Sequence, residues 1–235
     1  MMKAVVTGFV NTMPKPQRTA GLIYLPFHVL IIPVFIGMLA DYLPGGLDDV
    51  VSNIIYYSIG LVFCLAVMWR YLRNAYDILI DNFTKNIIAF IFAYIICVLL
   101  SYIAAGLIFV IFKDSAENPN NSALLDMAGG NPGAVMGLTI FAAPVVEEIL
   151  FRGVLFGSIQ PRHRILAFIL SIALFSFYHI WQYALVSMDW TVLFYMVQYI
   201  PAGYALAWLY EKTNCIWMPI FLHMSINFIS MAAMR

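Results

Sequence analysis

Charge is what this sequence lacks. Only 10% of its 235 residues are Asp, Glu, Lys or Arg, whereas 63% are hydrophobic. A soluble domain carries about 25% charged residues and about 45–50% apolar ones. Too little polar surface is left to clothe a water-soluble globule, so the chain reads as a protein whose solvent is lipid. The formal net charge is zero, which removes the electrostatic case for nucleic acid as a partner. Cysteine is scarce too. Cys64, Cys97 and Cys215 are odd in number and irregular in spacing. They make neither a disulfide framework nor a CxxC metal knuckle, and they read as small packing residues. Met1 to Ala20 has no apolar core, so it is not a cleavable signal peptide. The apolar run that follows reads as an uncleaved signal-anchor.

What is present is a series of long apolar runs. A helix needs about 20 mostly apolar residues to cross the hydrocarbon core. Seven runs qualify: roughly 21–40, 53–70, 87–112, 134–157, 165–186, 190–210 and 215–234. The expected fold is therefore all-α, a polytopic transmembrane bundle of about seven spans. Residues 1–235 form one transmembrane domain, with a catalytic core at about 134–234. Pro26 and Pro33 are expected to kink the first span. Residues 113–132 (KDSAENPNNSALLDMAGGNP) read as a polar loop, with one helical turn near Ser122–Met127. Residues 70–85 read as a short amphipathic helix along the interface.

Lys and Arg favour the cytoplasmic side of a membrane. With the N-terminus inside, ten basic residues fall inside: Lys3, Lys15, Arg18, Arg70, Arg73, Lys85, Arg152, Arg162, Arg164 and Lys212. Only Lys113 and Arg235 fall outside. This bias predicts a cytoplasmic N-terminus and an external C-terminus. The short chain points to a prokaryotic plasma membrane.

Ionisable groups are costly in a membrane helix, starting at roughly 2.5–3.5 kcal/mol at its centre. Here they gather in the second half. PVVEEILFRG places Glu147 and Glu148 in mid-span, about 100° apart around the axis. Arg152 follows Glu148 by one turn on the same face, a spacing that suits an ion pair. Glu147 is left without a local partner and free to exchange protons. FSFYH places Phe175 one turn before His179, a candidate base or ligand. HMSIN puts His223 and Asn227 on one face of the last span. Alone, each histidine reads as a hydrogen-bonded packing residue, as does His28 in the first span. Counted by rise per residue, Glu147, His179, His223 and Asn227 all lie within roughly ten ångström of the midplane. Convergence of the four gives a set that could activate water and stabilise an oxyanion, or one that could hold Zn²⁺. Spacing does not choose between these.

At these residues the sequence resembles a known family. EEILFR (Glu147–Arg152), FSFYH and HMSIN match, in order, the EExxxR, FxxxH and HxxxN motifs of the CPBP intramembrane proteases, also called the CAAX protease and bacteriocin-processing or Abi family. The resemblance implies hydrolysis of a peptide bond within or beside the bilayer, in a membrane-associated peptide or lipidated protein. By similarity, Glu147 and His179 activate the water, and His223 and Asn227 stabilise the oxyanion. Glu148, Arg152 and Phe175 support them. A metal-free glutamic mechanism is the expectation, because HExxH is missing and an amide is a poor zinc ligand. If zinc is used, its ligands are Glu147, His179 and His223. No GxSG or GxGD motif points to a rhomboid-type or aspartyl intramembrane protease. Two other readings compete: a proton-coupled transporter, and a non-catalytic immunity or scaffold protein of the membrane.

Overall fold

The computed structural model describes residues 8–112 and 118–233. Lys3, Lys113 and Arg235 of the charge tally, and the start of the 113–132 loop, lie outside them. All regular structure among the described residues is helical. In chain order the helices are α1 (Lys15–Tyr42), α2 (Asp49–Val67), α3 (Trp69–Asp81), α4 (Phe83–Phe112), α5 (Pro119–Gly130), α6 (Pro132–Ile159), α7 (Arg164–Tyr178), α8 (Trp181–Ser187), α9 (Trp190–Thr213) and α10 (Trp217–Ala233). The protein is an integral membrane helix bundle. Five helices, α1, α2, α4, α6 and α9, are each long and apolar enough to cross a membrane. The bent pair α7–α8 counts as a sixth if it is one span. α10 fills the seventh expected place with 17 residues.

Three features differ from the sequence reading. The first span begins earlier than expected, at Lys15, and stays helical through its prolines. Pro33 has no N–H to give the carbonyl one turn back, and the backbone relaxes into a wider π-helical turn at Phe27–Ile31. The same adjustment precedes Pro144, at Leu138–Ala142. Second, the expected continuous span 165–186 breaks at His179–Ile180, and α7 and α8 meet at 44°. Third, the outer loop holds a full helix, α5, rather than a single turn. Its start is set by Asn118, which caps the backbone N–H of Asn120, and by Pro119 in the first turn.

α6 is the centre of the bundle, with 61% of its most apolar stretch buried, against 17% for α4. Neighbouring helices approach it at small residues. A β-carbon on Gly60 of α2 would lie 2.8 Å from Val146 of α6. Gly21 of α1 meets Val154 in the same way. The amphipathic α3 forms as expected and docks by its apolar face. Tyr71 shares a 2.7 Å hydrogen bond with Tyr210, and the Trp217 indole donates to the Leu72 carbonyl at 3.1 Å. The N-terminal strand of chain ties to the same end. Asn11 donates to the Gly157 carbonyl at 2.5 Å, and Phe9 packs edge-on against Phe156 and Tyr210. The three cysteines are free and buried.

Candidate active site

Glu147 and Glu148 sit on α6 where it leaves regular α-helix for the π-helical stretch Ile149–Phe156. Such widened turns recur at functional sites because they re-aim side chains. Glu148 and Arg152 are fully buried and meet at 2.8 Å, as their spacing predicts. The guanidinium also donates to the Gly203 carbonyl at 3.2 Å and lies 4.2 Å from the centre of the Phe175 ring. Removing one partner of a buried pair of this kind costs about 3–5 kcal/mol, because the other charge is left uncompensated.

The pair is not closed, however. The same Oε1 of Glu148 accepts a second hydrogen bond, from Nδ1 of His223 at 2.8 Å. Glu148 therefore does more than hold Arg152: it fixes an imidazole from α10. With Nδ1–H donating to Glu148, the Nε2 lone pair of His223 is turned inward. His179 is set in the same sense by a different device. It occupies the break after α7, where its Nδ1 lies 2.8 Å from the Phe175 carbonyl. A carbonyl only accepts, so Nδ1 carries the proton and Nε2 is a lone pair. The ring is stacked on Tyr199 at 4.4 Å and meets Phe175 edge-on at 4.6 Å. Phe175 thus touches Arg152, His179 and His223 together.

Both inward nitrogens face one atom. Oε2 of Glu147 lies 3.7 Å from His179 Nε2 and 3.9 Å from His223 Nε2. It is buried and has no hydrogen-bond partner among the described residues. Three acceptors with no donor among them surround a small volume. A water molecule or a cation is what such a volume accommodates. The other oxygen of Glu147 accepts from Tyr57 of α2 at 3.1 Å. Tyr57 lies 3.3 Å from the Tyr178 hydroxyl, which accepts from Tyr56 at 3.1 Å.

The four polar residues expected to converge do so. Glu147, His179, His223 and Asn227 line one cavity of about 370 Å³. Asn227 spends one N–H on the Thr139 carbonyl at 2.8 Å, which steadies α10 against α6. α5 lies over the cavity and contributes Leu124 and Met127. It is pinned by Asn118, which donates to Gln198 at 2.5 Å and to Tyr199 at 3.1 Å. Sequence reasoning missed Tyr57, Tyr178 and Tyr199. A Tyr-Tyr pair in an aliphatic span and a Tyr beside His179 were the only signals. His28 is a packing residue as expected, stacked on Tyr56 at 4.5 Å.

The chain is 27% identical over 183 residues to "Putative membrane peptidase YdiL" of Bacillus subtilis (strain 168), covering 77% of this chain and 69% of that protein. It is 28% identical over 101 residues to "UPF0177 protein YxdF" of Lactococcus lactis subsp. lactis (strain IL1403), covering 43% of this chain and about half, 49%, of that one. No solved structure matches the chain significantly. Residues 130–229 match the family model described as type II CAAX prenyl endopeptidase Rce1-like. That stretch carries all three polar motifs, and over it the chain is similar to the Rce1-like CAAX protease (CPBP) family.

Proposed function

We propose that this protein is an intramembrane endopeptidase that uses a Glu147-activated water to cut a membrane-associated peptide or lipidated protein. The observation that carries the reading is the unpartnered Oε2 of Glu147, held between two inward-facing lone pairs. A water there donates one hydrogen to Glu147 and the other to His179. Glu147 takes the first proton as the oxygen adds to the scissile carbonyl carbon. The resulting oxyanion meets the second N–H of Asn227, one turn from His223 on the same face of α10. Glu148 keeps its hydrogen bond to Nδ1 throughout. Glu147 then gives its proton to the leaving nitrogen as the C–N bond breaks, so a carboxylic acid and an amine are the products. Tyr57 acts through Glu147 as a positioning residue: it occupies Oε1 and leaves Oε2 to the water.

A zinc ion is the second reading, because three lone pairs also suit a cation. Glu147, His179 and His223 would hold it, and it would supply Lewis-acid activation of the water. Bonds of 2.0–2.1 Å in a tetrahedron set the ligand atoms about 3.3 Å apart. The 3.7 and 3.9 Å separations are wider, which favours water. Elemental analysis of the active, purified protein separates the two. One zinc per chain, with activity lost to a chelator and restored by zinc, would overturn the metal-free reading.

Activity itself is tested on the purified protein in detergent with a proteome-derived peptide library, reading new termini by mass spectrometry. Wild type generates a defined set of new termini. Glu147-dependent solute uptake by proteoliposomes, with no new termini, would instead favour a transporter. A cellular phenotype kept in the Glu147→Gln/His179→Ala double variant would favour a non-catalytic immunity or scaffold role.

A further inference from the structure

A second cavity, of about 310 Å³, lies beside the first. Its walls come from α1 at Ile36 and Gly37, from the start of α2, and from the α7–α8 break. The two cavities adjoin. Asn53, Tyr57, Asn120, His179, Gln182 and Tyr183 line both. The hydroxyl that holds Glu147 and the imidazole beside it therefore stand in the partition between two chambers. A dead-end pocket suits a chain terminus. Two chambers that meet at the reacting groups suit a chain that runs past them.

The chambers share much of their polar lining and differ at their far ends. The first adds Leu124, Met127, Val135, Leu138 and Ile226, together with amides such as Asn118 and Gln198. The second adds Ser52, Leu47 and Asp49, its one acidic lining residue among the described residues. Asp49 makes no ion pair among the described residues and lines the second chamber together with Tyr183, which lines both. Both cavities are of the size that small-ligand and short-peptide sites show, at the lower end of about 300–1,000 Å³.

Resting on the peptidase reading, we propose that the substrate threads through both chambers as an extended strand, with apolar residues in the first, a Lys or Arg side chain facing Asp49 in the second, and the scissile bond at the partition. An extended chain advances about 3.3–3.6 Å per residue. The cationic residue thus falls within a few positions of the cut, always on the same side.

Cleavage-site profiling of a proteome-derived peptide library with the full-length protein in detergent tests this. Wild type should show apolar residues on one side of the cut and enrichment of Lys and Arg on the other. Asp49→Asn should abolish that enrichment, and Asp49→Lys should replace it with Asp and Glu. Gly37→Phe fills the second chamber at a point where a β-carbon meets nothing within 4 Å, so the fold tolerates it. It should raise KM at least about tenfold for peptides that extend into that chamber, and leave peptides truncated on that side unaffected. Indistinguishable profiles from wild type, Asp49→Lys and Gly37→Phe would overturn the two-chamber proposal and leave the peptidase reading standing. A wild-type protein that cuts no peptide would overturn both.

Discussion

At the scale of single residues, the proposed mechanism turns on one unsatisfied oxygen. Glu147 is buried, and among the described residues only its Oε1 has a donor, Tyr57. Tyr57→Phe leaves both oxygens without a partner and lets the carboxylate turn. An unmet buried polar group costs about 1–3 kcal/mol. A 10- to 100-fold lower kcat with nearly unchanged KM is the expected result, measured on a peptide that wild type cuts. Tyr56→Phe, two hydroxyls further away, should lose far less. Equal losses in both variants would show that the hydroxyls act only as packing. The motif residues themselves were legible in the sequence, because i, i+4 spacing puts Glu148 with Arg152 and His223 with Asn227 on shared faces. Tyr57 was not, because its partner lies ninety residues away on another helix. The second bond of Glu148 was hidden for the same reason, since His223 is 75 residues distant.

At the scale of helices, hydropathy located all seven apolar segments but not the break that makes His179 useful. Between Phe175 and Ser187 there is neither Pro nor Gly to announce a bend. The signal lies in hydrogen bonding instead: the His179 ring takes the Phe175 carbonyl, a group that a continuing helix would give to a backbone N–H. The contact of α2 with α6 is equally specific. Gly60 lets α2 approach until a β-carbon there would lie 2.8 Å from Val146 and 3.1 Å from the His28 ring. Gly60→Val forces the helices apart and draws Tyr57, one turn away, from Glu147. The expected cost is about 1–3 kcal/mol, read as a lower unfolding temperature in detergent, with activity falling alongside. A variant with wild-type melting and activity would show that α2 does not position the site.

At the scale of the whole molecule, the two ends of the bundle differ in charge. Among the described residues, the cavity end carries Asp41, Asp48, Asp49, Asp126 and Asp189 and no Lys or Arg. The opposite end carries Lys15, Arg18, Arg70, Arg73, Lys85, Arg162, Arg164 and Lys212. By the preference of basic residues for the cytoplasm, we propose that α5 and the cavity mouth face outward. Because the native cysteines are buried, introduced ones report topology cleanly. In intact cells Asp126→Cys should react with an impermeant maleimide, and Arg162→Cys only after permeabilisation. The reverse pattern would invert the orientation.

The decisive proposed step is removal of a proton from water by the carboxylate of Glu147. Its most direct measurement is kcat/KM of wild type and Glu147→Gln for one peptide, both proteins purified alike and shown to unfold at similar temperatures. Glutamine keeps the shape and can still accept from Tyr57, but it cannot take the proton. A loss of at least about 100-fold is expected, in the range that positioned general bases contribute. Activity within about threefold of wild type would contradict it.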